Sequence, residues 1–308
     1  MKIWPLLAMC CIALAGCQRE TIDPSADEMG HSAPTEVTSR ANERVRGELD
    51  LGDQQDFEDA RRGLIASQEE IRVVGEQGQV IWDTAVYGFE QGKSPTSVNP
   101  SLWRQARLNN IHGLFEVTPG IYQLRGFDLA NMSIIDGQSG WIIVDPLTSR
   151  ETSAAALAFA REKLGDKPIS AVIFTHSHVD HFGGVLGIAD SATLEGLEII
   201  APEGFMEEAT SENVLAGTTM SRRSMYMYGM QLARSERGHV GSGLGKSPAY
   251  GSVGIIRPTR VIDATPQEMT IDGVEFVFQN APGSEAPAEL TFYLPGKKAF
   301  CGAEVVSR

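Results

Sequence analysis

Three of the chain's six histidines lie in one ten-residue stretch, THSHVDHFGG, at positions 175–184. In an extended turn, residues two apart point to the same side, so His176 and His178 can face one metal ion together. Asp180 and His181 follow where the chain turns toward a helix, so they can serve a second ion close by. Imidazole and carboxylate ligands without a thiolate suit zinc, with iron or manganese as alternatives. The stretch therefore predicts a metal site with room for two ions.

The surroundings of this stretch favour a metal site over an accidental polar turn. The apolar run 169–174 directly before it is typical of a buried strand. Gly183 and Gly184 allow the backbone to turn tightly directly after it. Two ions about 3.5–4 Å apart could share a hydroxide whose pKa is lowered toward neutrality.

Alternating strands and helices are expected to position the histidines. Short apolar runs bounded by glycine and proline predict buried strands at 120–124, 131–136, 140–146, 169–174, 197–201, 274–279 and 290–294. Helices are predicted at 55–66, within 94–110, and at 150–164, which is rich in alanine. This alternation predicts a layered α/β domain.

A long segment at 217–254, rich in glycine, serine, methionine and tyrosine, interrupts the alternation. Its length and glycine content predict an irregular lid or substrate-lining loop. A mobile surface excursion is the alternative interpretation of the same composition.

The N-terminus has the features of an exported lipoprotein. Residues 1–17 have a positive start, a short apolar run and the sequence LAGC, which indicates a signal peptide with lipidation at Cys17. A plain secretory signal is the alternative. We expect a periplasmic or outer-membrane lipoprotein of a Gram-negative-type bacterium, with membrane contact through this anchor only. Residues 18–45 are predicted to be a flexible linker, and residues 46–115 an N-terminal helical segment.

Composition narrows the class of protein. Lysine and arginine number 26 against 40 acidic residues, for a net charge of −14, so a nucleic-acid partner is not expected. The hydrophobic fraction of 42% is ample for a core. Beyond the signal and Cys17, only Cys301 remains, which argues against a disulfide framework and against a CxxC zinc site.

The HxHxDH pattern after a strand resembles the signature of the metallo-β-lactamase-fold hydrolases. The wider sequence resembles one branch of them, the secreted alkyl sulfatases that hydrolyse alkyl sulfate detergents. The matching stretches include NPSLWRQARLN, GLFEVTPGIYQLRGFDLANMSIIDGQSGWIIVDPLTS, SENVLAGTTMSRRSMYMYG and PGSEAPAELTFYLP. The resemblance implies an αββα sandwich over residues 116–308 that is incomplete at its C-terminus.

The resemblance also implies a site with two Zn²⁺ ions. Six ligands are implied: His176, His178 and Glu285 at one ion, Asp180 and His181 at the other, and Glu304 between them. Asp145, at the end of a strand, would orient a histidine. Without the resemblance, Glu285 and Glu289 would be interpreted as solvated loop acids.

The segment 217–254 holds the candidates for contact with substrate. Arg222 or Arg223 would bind the sulfate through its guanidinium fork, although adjacent arginines are more often a solvated face. Tyr226 and, more weakly, Tyr228 are further candidates, and Asp180 belongs to the catalytic set. The nearby methionines could line an alkyl-chain channel or simply pack: Met220, Met225, Met227 and Met230.

The resemblance implies hydrolysis of long-chain alkyl sulfates to alcohol and sulfate, with water held by two zinc ions as the nucleophile. Members of the branch are much longer, with a helical dimerisation domain, a lipid-binding-like domain and a further histidine ligand after the bridging glutamate. This chain has no histidine after His239. The alternatives are an inactive fragment with a partial metal site, which would lack the homodimer contacts, and another hydrolase of the fold acting on lactones, β-lactams or esters.

Overall fold

The structure is a computed structural model that describes residues 23–306, without the side chains of residues 191 and 192. The signal peptide and the lipidation site predicted at Cys17 lie outside these residues. Within residues 23–306, no helix combines the length and apolarity needed to cross a bilayer.

Helices and strands alternate in the middle of the described chain, between residues 141 and 262, and runs of consecutive strands lie before and after this part. The helices are α1 (Glu36–Glu48), α2 (Gln55–Arg61), α3 (Pro100–Asn109), α4 (Arg150–Leu164), α5 (Val179–Phe182), α6 (Ser191–Glu195), α7 (Phe205–Thr210) and α8 (Gly217–Met227). The strands are β1 (Leu64–Ala66), β2 (Arg72–Val74), β3 (Val80–Asp83), β4 (Gly113–Thr118), β5 (Ile121–Arg125), β6 (Met132–Asp136), β7 (Trp141–Val144), β8 (Ile169–Ile173), β9 (Glu198–Pro202), β10 (Arg260–Ile262), β11 (Gln267–Ile271), β12 (Val274–Asn280), β13 (Leu290–Leu294) and β14 (Ala299–Cys301). The seven strands predicted from apolar runs and the helix at 150–164 are all present.

The larger sheet has strand order β1-β4-β5-β6-β7-β8-β9-β10 in the described part of the chain. Strands β4 to β7 pair antiparallel, whereas β7, β8, β9 and β10 pair parallel. Strand β7 is buried throughout, as expected for a strand covered on both faces. The loops that follow β7 and β8 leave the sheet at the same edge, because these two strands are parallel.

The smaller sheet is antiparallel, with the order β11-β12-β13-β14. Its inner face packs against the larger sheet through a core that includes Ile142, Ile173, Phe276, Phe278 and Phe292. Tyr293 and Phe300 alternate with these residues and are exposed on the outer face. The two sheets therefore form the ββ centre of the predicted sandwich.

Helices cover the opposite face of the larger sheet. Ala156, Leu157 and Ala160 of α4 pack there, and so does Phe205 at the start of α7. Ser149 caps α4 by accepting a hydrogen bond from the Thr152 amide. A helix layer and two sheets are thus packed around two apolar cores, which agrees with the predicted α/β class.

The prediction of a flexible linker at 18–45 needs correction from residue 36 onward, and residues 18–22 lie outside the described chain. Residues from Glu36 onward form α1, whose buried Asn42 donates from Nδ2 to the Thr96 carbonyl at 2.7 Å. Arg46 donates to the Ser94 carbonyl at 3.1 Å. His31, at the same end of the chain, places Nδ1 3.2 Å from the hydroxyl of Ser235. These contacts hold the segment against the body.

The predicted helical segment 46–115 is also only partly helical. Strand β1 pairs with β4, and both belong to the larger sheet. Strands β2 and β3 form a separate two-stranded sheet. The helix predicted at 55–66 ends at Arg61, and the apolar residues after Gly63 continue as β1. This segment therefore extends the sheet, and the predicted boundary at residue 116 lies inside β4.

The segment 217–254 begins with helix α8 and is irregular after it. Asp128 ties it to the body, since its Oδ1 accepts from the Ala249 amide at 3.1 Å. The same carboxylate accepts from the Thr148 amide and hydroxyl and from the Thr152 hydroxyl. The predicted irregular loop is thus a helix followed by an anchored loop.

Candidate metal centre

The predicted metal ligands lie at the edge where β7 and β8 end. His176 and His178 follow β8 in extended backbone, and Asp180 and His181 lie in the first turn of α5. An antiparallel bridge between His176 and Glu289 brings the loop before β13 beside them. The edge therefore collects groups from distant parts of the chain.

The first group of metal-binding atoms comes from four residues. Glu285 Oε2 lies 3.1 Å from His178 Nδ1 and 3.7 Å from His176 Nε2. Glu304 Oε2 lies 3.8 Å from the same His176 nitrogen. One atom from each residue lies within 4.8 Å of all the others. The structure thus brings together the set His176, His178, Glu285 and Glu304.

The second group contains Asp180, His181 and Glu304. His181 Nε2 lies 3.5 Å from Asp180 Oδ2 and 3.4 Å from Glu304 Oε1. Glu304 therefore offers one oxygen to each group, as the resemblance implies for a bridging ligand. All six predicted ligands converge on one place.

Two buried nitrogens show that this place suits a cation. The Nε2 atoms of His176 and His181 have no hydrogen-bond partner among the described residues, and both side chains are buried. Both nitrogens face carboxylate oxygens instead. Such unpaired buried nitrogens are rare in proteins. A metal ion with nitrogen and oxygen ligands fits this arrangement.

Asp145 orients the histidines, as the sequence predicts. Its Oδ2 lies 2.9 Å from His181 Nδ1 and accepts from the Thr175 hydroxyl at 2.7 Å. Its Oδ1 accepts from the Thr175 amide at 2.8 Å. The Thr175 hydroxyl donates its proton to Asp145, so its Oγ1 can accept a hydrogen bond from His176 Nδ1, which lies 3.0 Å away. With a cation bound, both histidines would then offer it an unprotonated Nε2.

The backbone at Asp145 is unusual and serves the same purpose. Asp145 has φ 54° and Leu147 has φ 65°, and both residues are buried. Residues other than glycine rarely adopt this left-handed region. The contacts made by the Asp145 carboxylate stabilise the conformation. The loop after β7 is therefore shaped to present this carboxylate.

The pKa values of the two buried histidines are shifted in opposite directions. Burial, followed by the neighbouring His181, lowers the pKa of His176 to about 4, so His176 is neutral at pH 7. Burial also opposes protonation of His181, yet Asp180 and Asp145 raise its pKa well above the usual value. In turn, His181 lowers the pKa of Asp180 despite its burial. A cation at this group would take the place of the His181 proton.

The two groups open into a cavity of about 1780 Å³ beneath α8. Its lining includes the ligands His178, Asp180, His181, Glu285 and Glu304, and the helix residues Met220, Ser221, Arg223, Ser224 and Met227. The helix residues recur at the three- and four-residue spacing of one helix face. One face of α8 therefore lines the cavity, in the segment for which the sequence predicted an irregular lid or substrate-lining loop.

The candidates for substrate contact divide according to helix geometry. Arg223 lines the cavity, whereas Arg222 and Tyr226 do not, and Tyr226 is 77% exposed. At about 100° per residue, the residues of α8 that line the cavity fall on one side of the helix, and Arg222 and Tyr226 fall on the opposite side. Arg222 and Tyr226 are thus placed away from the site, and Arg223 remains.

Tyr228, the weaker candidate, lies closer to the chemistry. It lines the cavity at the end of α8. Burial, and then the nearby carboxylates of Asp180 and Glu304, raise the pKa of Tyr228 to about 12. The phenol therefore keeps its proton at neutral pH and can donate a hydrogen bond to an anion.

Glu289 is the residue that sequence reasoning misplaced. The structure buries it completely, and its Oε2 accepts from the Glu285 amide at 2.8 Å. Burial opposes ionisation, but hydrogen bonds from Ser284, Ala286 and Glu285 lower the pKa of Glu289. Its only sequence signal is its place at the start of an apolar strand, where a solvated acid would be unusual.

Two sheets, a helix layer and a histidine–carboxylate site at the strand edge form the candidate metal centre. Residues 125–207 match the family model of the metallo-beta-lactamase superfamily. The chain is 48% identical over 273 residues to an alkyl/aryl-sulfatase of Saccharomyces cerevisiae, covering 88% of this chain and 42% of the relative. It is also 48% identical over 274 residues to a linear primary-alkylsulfatase of Pseudomonas sp., with 88% and 41% coverage.

A solved structure agrees with the sequence relatives. The stereoselective inverting sec-alkylsulfatase from Pseudomonas sp. superposes with a TM-score of 0.84 at 43% identity, over 89% of this chain and 44% of that one. The chain is therefore a homologue of the metallo-β-lactamase-fold alkylsulfatases, which confirms the predicted resemblance and fold class. It spans about two fifths of the length of the curated relatives that it matches.

Proposed function

We propose that the protein hydrolyses sulfate esters of long-chain alcohols, with alkyl sulfate and water giving alcohol and sulfate. The observation that carries the proposal is the pair of metal-binding groups, joined by Glu304, at the floor of a cavity. The named activities of the relatives support the substrate class, since they are alkylsulfatases.

The residues that would hold zinc are the six that converge, with His176, His178 and Glu285 at one ion, Asp180 and His181 at the other, and Glu304 between them. When bound, zinc supplies Lewis acidity that lowers the pKa of water and neutralises developing negative charge. The chain itself keeps the ligands in the correct protonation state. Asp145 holds the proton of His181 on Nδ1, which leaves Nε2 for the ion.

Arg223 and Tyr228 would bind the sulfate group. A guanidinium presents paired N–H donors that match two sulfate oxygens, and it carries a permanent positive charge. The Tyr228 phenol keeps its proton near the carboxylates of the site and donates to a third oxygen. Both side chains line the cavity that contains the metal-binding groups. They would therefore orient the ester and offset charge on the departing sulfate.

The cavity also has apolar walls suited to an alkyl chain. Met220 and Met227 of α8 line it, together with Leu244, Tyr250 and Val253 from the irregular loop that follows. Several of these side chains are exposed at the surface, among them Met227, Leu244 and Val253. An alkyl tail that covers them would gain roughly 25 cal/mol for each Å² removed from water. Met225 and Met230 do not line the cavity.

We further propose that the protein acts outside the cytoplasm as a lipid-anchored enzyme. The lipobox-like LAGC sequence of residues 1–17 supports this proposal. A lipid at Cys17 would be its membrane contact, and an alkyl sulfate its small-molecule partner.

The decisive experiment measures inorganic sulfate released from dodecyl sulfate, kept below its micellar concentration, by the purified full chain. We expect release with added zinc, no release after chelation, and recovery when zinc is restored. Glu304→Gln, which alters the shared carboxylate, should remove the activity and leave the far-UV circular dichroism unchanged.

Two results would count against the proposal. A zinc-loaded, folded chain that releases no sulfate would indicate an inactive fragment with a metal site. Hydrolysis of a lactone or a β-lactam without sulfate release would indicate a different hydrolase of the same fold.

A further inference from the structure

The carboxylate of Glu289 lies between the two chain segments that deliver the metal-binding glutamates. It is fully buried in the described structure. It does not belong to either group of metal-binding atoms, although His176 is its bridge partner. A buried carboxylate costs free energy unless donors surround it, so its partners indicate its role.

One oxygen of Glu289 organises the loop that carries Glu285. Oε2 accepts from the Glu285 amide at 2.8 Å and from the Ala286 amide at 3.1 Å, and it lies 2.6 Å from the Ser284 hydroxyl. The loop is closed behind it, because the Ala281 amide donates to the Glu289 carbonyl at 2.8 Å. This single oxygen therefore lies within hydrogen-bond distance of three donors of the loop that carries Glu285.

The other oxygen reaches the second glutamate. Oε1 accepts from the Glu304 amide at 3.3 Å. Glu304 follows β14 and Glu285 precedes β13, and the ladder between these two strands extends to the pair Phe292 and Cys301, short of both glutamates. Glu289 connects the two segments past the end of the ladder, and its own backbone bridges His176.

We propose that Glu289 is a positioning residue that sets the spacing of the Glu285 and Glu304 carboxylates around the metal. The inference rests on the metal-binding role proposed above, and it is independent of the substrate. Only an ionised carboxylate offers acceptors on both oxygens to these donors. Glutamine keeps the size of the side chain but turns an NH₂ group toward one set of backbone N–H donors. The ligand loop or Glu304 must then shift.

The test compares zinc affinity in full-chain variants, measured by competition with a chromophoric chelator. Glu289→Gln should bind the same number of zinc ions as the parent, with the dissociation constant of the affected site raised about 10–100-fold, the range typical of residues that support metal ligands. Glu275→Gln, an exposed acid on β12, is the matched control and should leave the affinity within twofold. This readout does not depend on sulfate release, so failure of the proposed activity would be seen separately.

A double-mutant cycle separates positioning from a general effect on folding. If Glu289 acts through Glu285, adding Glu289→Gln to Glu285→Gln should weaken zinc binding less than it does in the parent. The metal-free Glu289→Gln protein should also unfold cooperatively, with native circular dichroism. In Glu289→Asp the charge is kept, but the shorter side chain cannot reach the amides of Glu285 and Glu304 at the same time. This variant should therefore weaken zinc binding similarly.

Three outcomes would overturn the proposal. The first is unchanged zinc affinity in both Glu289 variants. The second is full additivity with Glu285→Gln and also with Glu304→Gln, at an unchanged number of bound zinc ions. The third is failure of both Glu289 variants to fold without metal, which would make Glu289 a residue of the fold rather than of the site.

Discussion

At the scale of single residues, Arg222 and Arg223 form a matched pair for testing the sulfate contact. Arg223 lines the cavity, whereas its neighbour does not. Replacing Arg223 with glutamine removes a charge-assisted contact worth about 1.5–3 kcal/mol. We therefore expect kcat/KM for dodecyl sulfate to fall about 10–100-fold in Arg223→Gln, and to stay within twofold in Arg222→Gln. Sulfate release kinetics measure both, and equal losses would contradict the assignment.

Some residues of the site were predictable from the sequence, and others were not. The histidines were predictable because so many of them at this close spacing, directly after an apolar strand, are improbable by chance. Glu285 and Glu304 were reached through resemblance alone, since lone acids in loops carry no spacing signal. Glu289 was missed because its role depends on amides of residues 285 and 304, whose proximity exists only in the folded chain. The choice between Arg222 and Arg223 likewise depends on which face of α8 is turned toward the cavity, and the sequence does not show this.

At the scale of elements, Asp128 anchors the loop that follows α8 to the body. Five donors point at its carboxylate, from Leu129, Thr148, Thr152 and Ala249. Asparagine would turn an NH₂ group toward at least two of them. Because buried donors left unpaired cost about 1–3 kcal/mol each, Asp128→Asn should lower the free energy of unfolding by about 3 kcal/mol.

The urea-unfolding midpoint checks the Asp128 prediction. Thr152→Val removes one donor only, and it should cost about 1 kcal/mol. Limited proteolysis should also cut Asp128→Asn faster between residues 228 and 254 if the loop is released. An Asp128→Asn protein as stable as Thr152→Val would show that Asp128 is not the main anchor.

Helix α1 shows why one element escaped prediction. Its sequence, EVTSRANERVRGE, is polar and lacks an apolar stripe. Local interactions stabilise it instead: Thr35 accepts from the Thr38 amide, and Arg40 and Arg44 pair with Glu36 and Glu48 one turn away. Composition suggested a linker, whereas capping and charge spacing favoured a helix. The strands were found because burial on both faces requires long apolar runs.

At the scale of the whole molecule, hydrophobic periodicity predicts the two sheets and the helix layer. It does not predict the edge at which their loops bring the metal-binding groups together. The larger sheet takes β1 and β4 from a segment predicted to be helical. Such pairings join residues far apart in sequence, and single-residue patterns do not encode a partner. The metal-binding groups depend on these pairings, because the β13 loop reaches His176 only when both sheets are assembled.

The pH dependence of the whole fold offers a last test, through His239. This residue is 4% exposed, and its Nδ1 lies 3.3 Å from the Tyr87 hydroxyl. Burial, and then Arg234, lower the pKa of His239 from 6.5 to about 4. Between pH 6.5 and about 4, the unfolded chain therefore binds more protons at His239 than the folded chain does. The contribution of neutral His239 to the free energy of unfolding is complete above pH 6.5 and decreases as the pH falls toward 4.

His239→Asn removes this titration while keeping an acceptor for Tyr87. Between about pH 7 and about pH 4.5, the parent should lose about 2 kcal/mol more of its free energy of unfolding than the variant does. Urea unfolding measures the loss in both proteins. A chelator is present throughout, so that bound metal does not contribute. His176 titrates in the same range and is present in both proteins, so the difference between them reports His239 alone. Equal losses in the two proteins would show that His239 is not held neutral by the fold.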